Sequence, residues 1–161
     1  MAELFLDCDG VLADFDAGAR LVLGGLSPRE FEARHSKREF WRRLAQTKGF
    51  YAKLPLLPDA HLLFDAVDHL RTTILTGLPL GTWAAPQKLQ WAEEHFPGTP
   101  VITCMARDKY KYMKPGDVLV DDRADHRDKW EDAGGIFIRH KNARASLDEL
   151  ARIFPSVKVP A

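Results

Sequence analysis

Short apolar runs alternate along this chain with longer stretches in which apolar positions recur every three or four residues. Residues 4–6, 72–75, 101–103, 118–120 and 136–138 form the first kind, each too short for a self-standing helix, and they predict five strands. Residues 60–70, 87–95, 126–133 and 147–154 form the second kind and predict amphipathic helices. Alternation of strand and helix predicts an α/β domain, a doubly wound (Rossmann-like) parallel sheet of about five strands with helices on both faces.

Capping residues place the boundaries. Asp59 stands before the first of these helices, Pro86 where a first turn tolerates a missing N–H, and Gly134-Gly135 after the third. Three Ser-x-x-Glu pairs, Ser27 with Glu30, Ser36 with Glu39 and Ser146 with Glu149, fit capping boxes that satisfy free amides at helix starts. Two of them fall between residues 14 and 54, where helical pattern follows helical pattern and no strand intervenes. That stretch predicts a small helical insertion after the first strand, a cap that returns to the body through residues 55–58. The 161 residues, 18.2 kDa, suit one domain spanning 1–161.

Charge narrows the partners. Lys+Arg 23 balances Asp+Glu 23, so no long-range field exists to hold an extended nucleic acid or an anionic membrane. The first residues carry acids where a secretory signal would carry bases, and no run of 18 apolar residues occurs, so a cytoplasmic protein is expected. Cys8 and Cys104 have no C-x-x-C spacing and read as reduced, buried thiols.

The strand ends carry the chemistry. The first strand runs into Asp7-Cys8-Asp9-Gly10-Val11, the second into Thr76-Gly77 and the fourth into Asp121-Asp122. In an open parallel sheet ligands bind beyond the carboxyl ends of the strands, so these groups converge where a reaction centre is expected. Four acids in one place raise one another's pKa unless a cation neutralises them. Oxygen ligands without His or Cys point to Mg²⁺, which takes carboxylates, water and substrate phosphate. Each motif alone also reads as a solvated polar turn.

Taken in order, Asp7-x-Asp9-Gly10-Val11, strand-Thr76, a helix lysine and strand-Asp121-Asp122 resemble the four motifs of the haloacid dehalogenase-like hydrolases. Within them, DCDGVLADF, LPLLPDA, KLQWAEEHF and GDVLVDDR are similar to the 5'(3')-deoxyribonucleotidases, a likeness spanning residues 4 to about 123. The resemblance implies a Mg²⁺-dependent phosphomonoesterase. Asp7 would be the nucleophile that accepts the phosphoryl group, and Asp9 the general acid and base, its main-chain carbonyl on Mg²⁺. Thr76 and the Gly77 amide would bind the phosphoryl oxygens. Asp122 would ligate the metal with Asp121 in support, and Gly10 would permit the turn around it.

The required positive charge is assigned to Lys88, near the start of its helix, with Lys109, Lys111 and Lys114 as competitors. By the same likeness Phe15, Phe40 and Trp41 line the substrate pocket, and Arg107 and Arg123 contact phosphate or substrate; the aromatics read equally as the insertion's own core. The segment 107–115 is longer and more basic than its family counterpart. That segment or the compact cap makes another small phosphoester the alternative substrate, and the basic run Arg34-His35-Ser36-Lys37-Arg38 with Arg42-Arg43, otherwise a solvated helix face, makes a polynucleotide end a further one. A non-catalytic phosphoacceptor or nucleotide-binding module is the reading from a different class. A response-regulator receiver would carry its acidic pair on the first strand, and no Gly-x-x-x-x-Gly-Lys-Ser/Thr loop is present, which excludes a P-loop NTPase.

Overall fold

A computed structural model describes residues 1–161. Strands β1 (Leu4–Leu6), β2 (Thr72–Gly77), β3 (Val101–Cys104), β4 (Val118–Asp121) and β5 (Ile136–Arg139) form one parallel sheet in the order β3-β2-β1-β4-β5. The chain builds outward from β1 on one side and then crosses to the other. Leu6 pairs with Ile74 and with Val120, so the three central strands end near one level, at the point where the strand order reverses.

Alternation along β1 divides the core. Leu4 and Leu6 face a cluster of 30 buried residues that also holds Leu63 and Val67 of α4 (Ala60–Val67), Trp91 of α5 (Ala84–His95) and Leu147 and Leu150 of α7 (Ala143–Ile153). Phe5 faces a cluster of 6 with Leu75, Leu119, Phe137 and Trp130 of α6 (Arg127–Asp132). The larger cluster continues into the stretch between β1 and α4, where α1 (Phe15–Val22), α2 (Pro28–Arg34), α3 (Lys37–Gln46) and a 3-10 turn (Tyr51–Lys53) follow one another without a strand. The insertion therefore shares its hydrophobic interior with the sheet.

The caps divide into those that form as the local spacing predicts and those whose side chains are taken by other partners. Ser27 and Glu30 form the full reciprocal box at the start of α2. Ser36 accepts from the Glu39 amide, but the Glu39 carboxylate turns to Arg42. The expected box at Ser146 is absent: Asn142 caps α7, and Ser146, inside the helix, meets His140 Nδ1 at 2.7 Å. Asp59 precedes α4 but gives its carboxylate to the Ala143 amide at 2.7 Å, tying α7 to α4. Helix α4 stops at Val67, earlier than its apolar pattern suggests, and the Thr72 hydroxyl donates to the Val67 carbonyl. Cys8 and Cys104 are buried free thiols. No helix is long and apolar enough to cross a membrane.

Candidate active site

Beyond β1 the backbone folds back on itself at once. The amides of Val11, Leu12 and Ala13 all donate to the Cys8 carbonyl, and the Gly10 amide donates to Ala13. Gly10 sits at φ +82°, and a Cβ there would lie 2.1 Å from Asp122 Oδ2. Glycine is thus needed both for the left-handed turn and for the approach of this loop to the β4 acids.

Asp7, Asp121 and Asp122 bring carboxylate oxygens within 4.8 Å of one another. Lys109 enters this group from a 3-10 helix (Ala106–Tyr112), its Nζ 3.0 Å from Asp7 Oδ1 and 3.0 Å from Asp121 Oδ2. Its ammonium is only 5% exposed as a residue, and the two carboxylates outweigh the cost of burial and raise its pKa. Burial pushes Asp7 up, but the Lys109 charge, together with hydrogen bonding to Asp121 and Lys109, outweighs it and holds Asp7 below the ordinary carboxylate value. Burial and the Asp7 charge push Asp121 up to about 6 and Asp122 to about 8. One lysine does not balance three acids. The Asp122 Oδ1 atom is buried with no hydrogen-bond partner.

That arrangement fits a hard divalent cation. The donors are all oxygen, one buried carboxylate oxygen lacks a partner, and the glycine turn leaves the Asp122 carboxylate unobstructed. A cation there would also offset the burial and the repulsion that together raise Asp121 and Asp122.

Asp9 points elsewhere. Its Oδ2 lies 2.7 Å from Lys88 Nζ, which also donates to Thr76 Oγ1 at 2.8 Å. Lys88 is 2% exposed, Thr76 1%, and the ring of Tyr51 covers the ammonium at 4.5 Å from its centroid. Burial raises the Asp9 pKa, and the Lys88 charge only partly offsets it. The two carboxylates are therefore shifted in opposite directions, Asp7 below and Asp9 above the ordinary carboxylate value.

The sequence choice of a single lysine, Lys88, meets two buried ones. Lys88 grips Asp9 and Thr76, whereas Lys109 touches Asp7. Lys111 and Lys114 are exposed, and Lys111 pairs with Asp108 at 3.2 Å. Gly77 packs against Ala106, with a Cβ position 3.1 Å from the Ala106 Cβ, and so seats the helix that carries Lys109. Arg107 is exposed; Arg123 is exposed and paired with Asp125, while its amide donates to Asp121 Oδ1 at 3.0 Å.

Among the aromatics, Phe15 and Trp41 are half-buried, and Phe40 is 2% exposed, packed in the interior of the insertion between Phe31, Phe15 and Trp41. Phe40 thus packs as part of the insertion's own core. Tyr51, which with Phe50 belongs to the same aromatic content of the insertion, places its ring over the Lys88 ammonium.

A family model described as 5' nucleotidase, deoxy (pyrimidine), cytosolic type C protein matches residues 1–152. Solved structures share the fold. An L-2-haloacid dehalogenase from Xanthobacter autotrophicus is 18% identical, with 99% of this chain and 85% of that one covered and a TM-score of 0.58. A haloacid dehalogenase family hydrolase from Deinococcus radiodurans R1, solved with bound phosphate and sodium, is 14% identical, with 100% and 99% covered and a TM-score of 0.57. A hydrolase from Streptococcus pneumoniae TIGR4 is 11% identical, with 95% and 97% covered and a TM-score of 0.55. No curated protein matches the chain.

Proposed function

The chain belongs to the family of cytosolic type C, deoxy (pyrimidine) 5' nucleotidases, phosphomonoester hydrolases, and from that premise we propose a Mg²⁺-dependent phosphatase that cleaves deoxyribonucleotides through an aspartyl-phosphate on Asp7. The observation that carries the mechanism is the separation of the two carboxylates, Asp7 beside Lys109 and the β4 acids and Asp9 on the Lys88 that also holds Thr76, with their pKa values moved in opposite directions. Two carboxylates in different environments divide nucleophile from acid.

The Asp7 carboxylate forms an O–P bond as the ester P–O bond breaks, and Asp9 gives its proton to the departing oxygen, which leaves as an alcohol. Asp9, now ionised, takes a proton from water; the resulting hydroxide attacks phosphorus, the Asp7 O–P bond breaks, and inorganic phosphate leaves. Both acids return to their starting states. Lys109 spends two of its three N–H donors on Asp7 and Asp121 and retains one for a phosphoryl oxygen. Thr76 accepts from Lys88, so its own hydroxyl proton remains free for another. Asp7, Asp122, the Asp9 main-chain carbonyl and, in support, Asp121 would hold Mg²⁺, which supplies positive charge against the phosphoryl oxygens.

In this reading residues 14–54 act as the cap, with Phe15 and Trp41 offering ring faces to a base. The partner is a small phosphomonoester, a nucleotide, handled in the cytosol. The test is hydrolysis of 5'- and 3'-deoxynucleoside monophosphates, ribonucleotides, sugar phosphates and a phosphorylated oligonucleotide, with and without Mg²⁺. The reading expects release of phosphate from deoxynucleotides only with the metal. Turnover confined to sugar phosphates would overturn the nucleotide assignment, and none on any ester would overturn the phosphatase.

A further inference from the structure

The Lys88 ammonium has three N–H donors and three neighbours. Asp9 Oδ2 at 2.7 Å and Thr76 Oγ1 at 2.8 Å take two, and the face of the Tyr51 ring stands 4.5 Å away to receive the third. No donor remains for a phosphoryl oxygen. Lys88 therefore holds protein groups, and what holds Lys88 comes from the insertion.

The ring is itself fixed. The Tyr51 amide donates to Gln87 Oε1 at 2.8 Å, and Trp91 Nε1 donates to the Leu54 carbonyl at 2.8 Å, so the turn is fastened to α5 on both sides of Lys88. Trp83, just before α5, packs on the ring at 5.3 Å between centroids.

We propose that Tyr51 is a positioning residue: its ring seats the Lys88 ammonium where that group orients Asp9 and Thr76, so that placement of the insertion sets the geometry of proton transfer to the leaving oxygen. The inference rests on the phosphatase reading and deepens it. The ring is the part that acts, since the hydroxyl takes no part in gripping Lys88.

Phenyl phosphate and p-nitrophenyl phosphate, close in shape, separate this role from a structural one. Phenolate is the poorer leaving group and needs Asp9 more, and kcat/KM reports the step in which it departs. Tyr51→Leu is expected to lower kcat/KM about tenfold or more on phenyl phosphate and less than about threefold on p-nitrophenyl phosphate. Tyr51→Phe, which keeps the ring, is expected to stay within about twofold of the parent on both. Gln87→Ala, which loosens the turn but leaves the ring, is expected to show the same skew at smaller size, and it serves if Tyr51→Leu does not fold.

Equal losses on the two esters, or a Tyr51→Phe as impaired as Tyr51→Leu, would overturn the proposal. A second readout needs no turnover: acetic anhydride should label Lys88 faster in Tyr51→Leu than in the parent or Tyr51→Phe, read by peptide mass. Unchanged labelling of Lys88 would overturn the seating. A parent protein that cleaves neither ester with Mg²⁺ overturns the phosphatase reading and the catalytic half of this one, while the labelling contrast still decides whether the ring holds the lysine.

Discussion

The two buried lysines of this site keep different company. Lys109 reaches Asp7 and Asp121 from the body of the domain, among acids whose charge it does not fully balance. Lys88 reaches Asp9 and Thr76 from α5 and is roofed by a ring from the insertion. The first half is incomplete without further positive charge. In the second the lysine's own donors all meet protein groups, although Asp9 Oδ1 is buried without a partner, and one of those groups comes from the insertion. One half gathers more negative than positive charge, and the other holds a carboxylate and a hydroxyl on one lysine.

The sharpest break in that comparison is at Asp7, the proposed nucleophile. Asp7→Asn is nearly isosteric but cannot attack phosphorus, so turnover should fall by about 10³-fold or more with the fold retained, checked by steady-state rates and circular dichroism. Asp9→Asn should instead slow both proton transfers, and rapid quench with intact mass should show phosphorylated protein accumulating when the ester has a good leaving group. Loss of the same step in both variants would merge the two halves into one.

Next come the lysines themselves. Lys109→Met leaves Asp7 and Asp121 buried without their cation, a change that typically costs about 3–5 kcal/mol when a buried pair is broken. It should lower the melting temperature and weaken inhibition by inorganic phosphate by about tenfold or more. Lys88→Met should hold its phosphate affinity to within about threefold and lose rate chiefly on poor leaving groups. Phosphate affinity lost only in Lys88→Met would reverse the assignment.

Removing metal should affect the first half alone. With chelator present, Asp121 and Asp122 have native pKa values of about 6 and about 8, above the unfolded value of 3.8. The native state then binds more protons than the unfolded chain between about pH 4 and 8, so stability falls as pH rises through that window. Melting curves should show this slope in chelator, and Mg²⁺ should flatten it by binding the ionised acids. An identical slope with and without Mg²⁺ would argue against a cation among Asp7, Asp121 and Asp122.

Much of this architecture is legible in the amino-acid sequence because the signals are short-range. Apolar runs that end abruptly in Asp or Thr place both the strands and the acids, since a parallel strand is buried along its length and polar at its exit. What escapes is direction. Lys109, Lys111 and Lys114 lie in one basic stretch, and only the 3-10 turn through residues 106–112 decides that Lys109 faces inward. Phe40 and Trp41 are adjacent, yet Phe40 shares the buried side of α3 with Leu44 while Trp41 stays half-exposed. Ser146 and Glu149 have capping-box spacing, but Asn142 stands closer to the true start of α7 and His140 claims the serine. For Lys109 and Phe40 contacts from distant segments outbid the local pattern, and for Ser146 a better-placed neighbouring cap does.

The smallest expected effect sharpens the contrast between buried and exposed lysines. Lys111 is exposed and paired with Asp108, and Lys114 is exposed, so neither has a desolvated charge to lose. Lys111→Met and Lys114→Met should each change stability by about 0.5 kcal/mol or less and leave inhibition by phosphate unchanged. The pair shares its stretch of chain with Lys109, so the comparison holds sequence neighbourhood nearly constant and varies burial alone. Should Lys111→Met weaken phosphate binding as much as Lys109→Met, the contact with substrate would have to come from a different setting of residues 106–112. The free donor on Lys109 would then no longer account for phosphate recognition.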